Sequence, residues 1–151
     1  MTRRTGPRDV VVPFAIVAAI VYLVLRLSYE SLPPFQWFIA LPIGVLGIAE
    51  FVIARRVRQV VRHRIGAKPM TALAVARSVA LGKASVLVGS AVGGAAAALV
   101  VTVLPDANRT SAAAGDLRVA VIVLIATVAL TSAGVVLERA GIDPNHDRLG
   151  R

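Results

Sequence analysis

Four long apolar runs alternate with polar breaks along the chain. The first covers Val10 to Leu25 and follows Arg3, Arg4 and Arg8. The second covers Phe35 to Ala54, after Pro33-Pro34. The third starts near Met70 or Thr71 and reaches Leu104, where Pro105 stops it. The fourth covers Leu117 to Leu137 and is closed by Glu138 and Arg139. About 20 apolar residues in a helix cross a bilayer core of about 30 Å. The pattern predicts an all-α polytopic membrane protein with four transmembrane helices, at 10–28, 35–54, 81–104 and 117–137. A basic segment at 55–80 and a short polar tail at 141–151 complete the single domain.

The breaks refine these elements. Pro13 is expected in the first turn of the first helix, where a missing N–H costs little. No small-x-small cleavage motif follows this run, whose exit reads Leu25-Arg26-Leu27-Ser28-Tyr29-Glu30, so it reads as a retained helix rather than a signal peptide. Pro42, Gly44 and Gly47 make the second helix irregular, which neighbouring helices in a membrane can compensate. Residues 53–63 can continue that helix beyond the membrane, with Gly66 as a C-cap and Lys68-Pro69 as a new start. From about residue 70 to Leu104 the third helix would be about 50 Å long, so its first turns, through Arg77, are expected outside the core. Pro105 to Gly115 reads as a loop, with Asp116 capping the fourth helix.

Composition agrees with the pattern. The chain of 151 residues is 57% apolar, and its mean hydropathy is +0.78. A soluble fold this small has too little interior to hide that much apolar surface. The net charge of +9 arises from 17 Lys and Arg against 8 Asp and Glu. Fourteen of those cations fall in the N-terminus, the 55–83 segment and the C-terminal tail, against three (Arg26, Arg109, Arg118) in the alternate breaks. Cations concentrate on the cytoplasmic side of membrane proteins, so both termini are expected there. Arginine outnumbers lysine, which with the Ala, Val and Gly richness suggests a bacterial source, and hence the inner (plasma) membrane. The charge has no nucleic-acid recognition module beside it, so no nucleic-acid binding is expected. Cysteine is absent, and the two histidines, His63 and His146, stand far apart in polar breaks. Disulfides, thiolate catalysis and Cys-based metal sites are excluded.

Few residues offer chemistry. Glu50 lies thirteen positions after Trp37, about 20 Å along a helix. A carboxylate at that depth is costly unless paired, protonated or facing water. It defines a candidate intramembrane charge site with Lys83 and Arg77, and is expected to pair with Arg55, Lys83 or Arg77 rather than to carry protons. Gly82-Lys83-Ala84-Ser85 lacks the remainder of a phosphate-binding loop. Ser85, Gly89, Gly93 and Ala97 form a small-residue row at four-residue spacing, the kind that lets helix backbones approach closely. Val86 is expected on the opposite, lipid-facing side. Arg55, Arg56, Arg58, Arg62, Arg64 and Lys68 form the basic cytoplasmic segment.

The basic segment, Lys68-Pro69, Ala76-Arg77, and Ala80-Leu81-Gly82-Lys83-Ala84 followed by Gly89 and Gly93 resemble a family of small actinobacterial membrane proteins, domain of unknown function 3180. The likeness covers residues 8 to 140. It implies four spans and no established activity, so no functional residue carries over. Its genes often adjoin folate-biosynthesis genes, which implies at most a link to pterin or folate metabolism.

The residues point to a protein that is not an enzyme and needs no cofactor. No catalytic, cofactor-binding or metal-ligating set stands out, and the spans hold no His, Cys or paired carboxylates for acid/base work. The favoured role is a small structural or interaction protein that presents its basic segment to a cytoplasmic protein or to anionic lipid headgroups. The expected partners are the lipid bilayer, one of these, and a second copy of the chain. The alternative is a small dimeric transporter with Glu50 as its coupling carboxylate.

Overall fold

A computed structural model describes residues 5–28, 38, 40–61 and 71–141. Four long helices make up these residues: α1 (Pro7–Ser28), α2 (Ala40–Val61), α3 (Ala72–Val103) and α4 (Ser111–Ala140). A short 3-10 turn, Leu104–Asp106, follows α3. The described residues contain no strand. The Pro33-Pro34 break, Trp37, Gly66, His63, His146, the 142–151 tail and the basic residues Arg62, Arg64 and Lys68 lie outside the described residues.

Local chemistry sets the helix starts. Pro7 opens α1, and the Asp9 carboxylate accepts the Gly6 N–H at 2.7 Å, which caps an otherwise unsatisfied donor. Pro13 therefore lies in the second turn rather than the first. Thr71 caps α3, its hydroxyl accepting the Ala74 N–H at 3.3 Å. Thr110 does the same for α4 toward Ala113. Asp116 is thus not the cap of the fourth helix. It lies in the second turn of α4 and is buried. Residues 111–115 join the helix because the Ala112-Ala113-Ala114 stretch favours it and an oxygen-bearing side chain stands just before them.

Three helices are long and apolar enough to cross a membrane: α1, α3 with the turn after it, and α4. Among the described residues the second is not, against the four expected from the runs. Its described apolar stretch extends from Ala40 to Ala54 before Arg55-Arg56. Fifteen residues rise only about 22 Å. Glu50 interrupts even that stretch.

The α3–α4 hairpin forms the centre. The first helix rests on α3, α2 rests on α4 and touches α3 lightly, and among the described residues α1 and α2 do not meet. One cluster joins Leu25 of α1 to Leu99 and Val103 of α3 and Ala113 and Ala120 of α4. Another, at the opposite end, joins Ala54 and Val57 of α2 to Leu137 and Ala140 of α4, with Val75 of α3 against them. The start of α1 lies at this second end too, because the Thr5 N–H donates to Glu138 Oε1 at 2.8 Å. Around this frame, apolar side chains such as Ile16, Leu23, Ile48, Leu87 and Ile125 are exposed. Lipid is the solvent that suits such a surface.

Candidate functional site

The α3–α4 contact is a close backbone crossing. A Cβ added at Gly82 would stand 2.7 Å from the Gly134 carbonyl oxygen, and one at Gly134 would stand 2.7 Å from the Gly82 carbonyl oxygen. Farther along, Gly89 faces Thr131 and Gly93 faces Thr127. Val86 fills the position between, completely buried against Gly134. The α3 seam is therefore Gly82, Val86, Gly89 and Gly93, at spacings of four, three and four. An α-helix turns 3.6 residues per cycle, so a strict four-residue row drifts about 40° per step. Alternating threes and fours keep the seam facing its partner. Ser85 and Ala97 fall to the side of it, and Val86 lies on it rather than facing lipid. Gly94 faces α1, where an added Cβ would collide with the Phe14 carbonyl oxygen. Gly47 of α2 meets the Leu130 backbone of α4, with an added Cβ at 3.4 Å.

Glu50 sits where α2, α3 and α4 converge. It lies between the Gly47–Leu130 contact and the cluster around Val57 and Leu137, and it has no solvent exposure. Ser85 Oγ donates to Glu50 Oε1. Glu50 Oε2 is buried and has no hydrogen-bond partner among the described residues. The expected cation partners point elsewhere. Arg55 is five residues on, about 140° round the helix, and its guanidinium lies 4.8 Å above the Phe51 ring. Lys83 is two residues before Ser85, on the other flank of α3, and its Nζ is 3.8 Å from Glu138 Oε1. Arg77 is exposed, two turns nearer the start of α3. The structure thus brings Glu50 to Ser85 and separates it from Lys83 and Arg77.

Glu138 is the residue that sequence reasoning missed. It is buried, accepts the Thr5 N–H and faces Lys83, so one carboxylate ties α1, α3 and α4 at the same end. An acid in the last turn of a helix opposes the helix dipole, and that oddity was the available signal. The arginines after Ala54 behave differently. Arg55, Arg56 and Arg58 are exposed while Val57 between them is completely buried against α4.

At the other end, Val21, Leu25, Val92, Ala95, Ala96, Leu99, Val119, Ala120 and Val123 line an apolar cleft of about 210 Å³ over the α3–α4 face. Among the described residues no three His, Cys, Asp or Glu side chains come together as a metal would require.

A four-helix chain with a glycine-lined α3 and a basic end to α2 was the resemblance read from the residues. The family model described as "Protein of unknown function (DUF3180)" matches residues 10–144. The chain belongs to this DUF3180 family. The match takes in all of α2, α3 and α4 and nearly all of α1, so Glu50, Ser85, Glu138 and the glycine seam are all inside it. No curated protein and no solved structure matches. Membership in DUF3180 brings no activity with it.

Proposed function

We propose that this DUF3180 protein is a bacterial plasma-membrane protein with four embedded helices and cytoplasmic termini. Its role is structural: it presents the basic end of α2 to anionic lipid headgroups or to an acidic cytoplasmic protein. It catalyses no reaction and binds no nucleic acid. One observation carries this reading. Beyond the apolar part of α2 the helix continues, with Val57 seated in the core and Arg55, Arg56 and Arg58 turned outward. The arginines are held on a rigid, anchored helix rather than on a loose tail. Each basic residue near an anionic surface contributes about 1 kcal/mol, and salt screens it. The orientation is supported by the gathering of the α1 start, the α2 end and the α4 end at one pole, the pole richest in Lys and Arg. In this reading α2 is embedded through its packing on α4, with its arginines reaching the headgroups.

The test uses the full chain in mild detergent with equal amounts of anionic and zwitterionic phospholipid, read by native mass spectrometry and by capture of cytoplasmic proteins. The wild type should retain anionic lipid or an acidic partner at low salt. The triple variant Arg55→Gln, Arg56→Gln, Arg58→Gln should lose most of that retention. Equal retention by both proteins sinks the reading.

A second reading is favoured by Glu50, which has a serine rather than a cation as its partner. A dimer of this chain would act as a transporter with Glu50 as the coupling carboxylate. Proton-driven uptake into liposomes that is abolished by Glu50→Gln would establish it.

A further inference from the structure

Glu50 is the one completely buried carboxyl in the apolar middle of the bundle among the described residues, and its surroundings are unusual for a structural acid. A structural carboxylate in lipid is ordinarily matched by a cation or by several donors. Among the described residues the single donor is the Ser85 hydroxyl, and Oε2 has no donor. Lys83 on α3 stands against Glu138 on α4, and Arg55 on α2 lies over Phe51. Of the other charged groups on these three helices, Arg56, Arg58, Arg77 and Arg139 are exposed, and Asp116 and Arg118 of α4 stand twelve or more residues, about 18 Å, before Leu130.

We propose that Glu50 and Ser85 form a proton-binding site inside the bundle. It deepens the transporter reading by naming the ion, but binding itself requires no transport. The exchange is a simple one: the Glu50 carboxylate takes one proton from the medium to become the carboxylic acid, and returns it as the carboxylate is regenerated. In the charged form the Ser85 hydroxyl donates to Oε1. In the acid form the new O–H on Oε1 donates to Ser85 Oγ, and the serine hydroxyl turns to the carbonyl four residues back on α3, a bond that helical serines commonly make. Ser78 makes that bond to Ala74 in the same helix, at 2.9 Å. The same pair of oxygen atoms therefore serves both forms, with only hydroxyl rotation between them. Oε2 changes from a bare carboxylate oxygen to a carbonyl-type oxygen, for which a missing partner costs far less.

The experiment is infrared difference spectroscopy on the full chain in lipid nanodiscs, stepping the pH of the medium in light and heavy water. A carboxylic C=O band should appear and vanish reversibly with pH, shift in heavy water and be absent in Glu50→Gln. In Ser85→Ala the band should remain but move, because its hydrogen-bond partner is gone. Should Glu50→Gln fail to fold, the Ser85→Ala shift alone, with helical content checked by circular dichroism, carries the assignment. A folded protein with no pH-reversible band attributable to Glu50, or a band indifferent to Ser85→Ala, overturns the proposal.

Discussion

Of the three buried carboxyl groups among the described residues, Glu138 and Glu50 divide the polar work in opposite ways. Glu138 accepts the Thr5 N–H and faces Lys83 of α3, and losing it strands both. Glu138→Ala should destabilise the protein by about 2–4 kcal/mol, more than Lys83→Ala, because the lysine is a third exposed and can turn to water. Thermal unfolding in detergent of the two single variants and the double variant checks this, and a cycle with no coupling energy contradicts it. Glu50 has one donor only. Ser85→Ala should cost about 1–3 kcal/mol by removing it, whereas the double change Glu50→Leu, Ser85→Ala should be near neutral. If the double variant is as unstable as Ser85→Ala, the carboxyl contributes favourably in a way its contacts do not display. The importance of Glu50 was legible from its depth in an apolar run. Its partner was not, because a list of nearby cations ignores helical phase: residues five apart, or two apart, face different neighbours.

At the scale of elements, the apolar runs located all four helices and the start of α3 near Thr71, whereas α4 starts behind Thr110 and not at Asp116. Three features were not legible. The small-residue richness of α3 hid its true period, since Gly82, Gly89, Gly93 and Gly94 serve two different neighbours. The 111–115 stretch has loop-like composition, yet it sits behind a capping threonine. The failure of described α2 to match a span shows only when Glu50, Arg55, Arg56 and Arg58 are placed on the helix. Val86 turns the seam into a sharp prediction. Val86→Leu should cost about 1–3 kcal/mol by overpacking, although in a lipid-facing position it would cost almost nothing. Gly134→Ala should be worse, since its Cβ would meet backbone as well as Val86. Melting temperatures of both variants, with Leu87→Met on the exposed face as control, decide it. A harmless Val86→Leu would dissolve the seam.

For the whole molecule, the pole that gathers Thr5, Val57 and Ala140 should face the cytoplasm. A cysteine placed at Ser111, at the opposite pole, should react with an impermeant thiol reagent added to intact cells, while one at Gln59 should react only after permeabilisation. The reverse pattern inverts the assignment. The charge count is the basis of this expected orientation, and the helix order around the hairpin does not follow from it. Consecutive helices usually neighbour one another; here α1 and α2 are separated, each against a later helix.

That separation bears on how the protein is made. A chain inserted from its N-terminus delivers α1 before α3 exists, and α2 before α4. The residue Ser111, where α4 starts, comes fifty positions after Val61, where α2 ends. The first helix is apolar enough to wait in lipid alone. The second, with a carboxyl group inside its apolar stretch and three arginines after it, is not. During synthesis it must be sheltered by the insertion machinery or held at the surface until the hairpin arrives. The fourth helix is thus the one that seats the second, and a ribosome stalled before residue 111 should leave α2 accessible to protease in the cytoplasm.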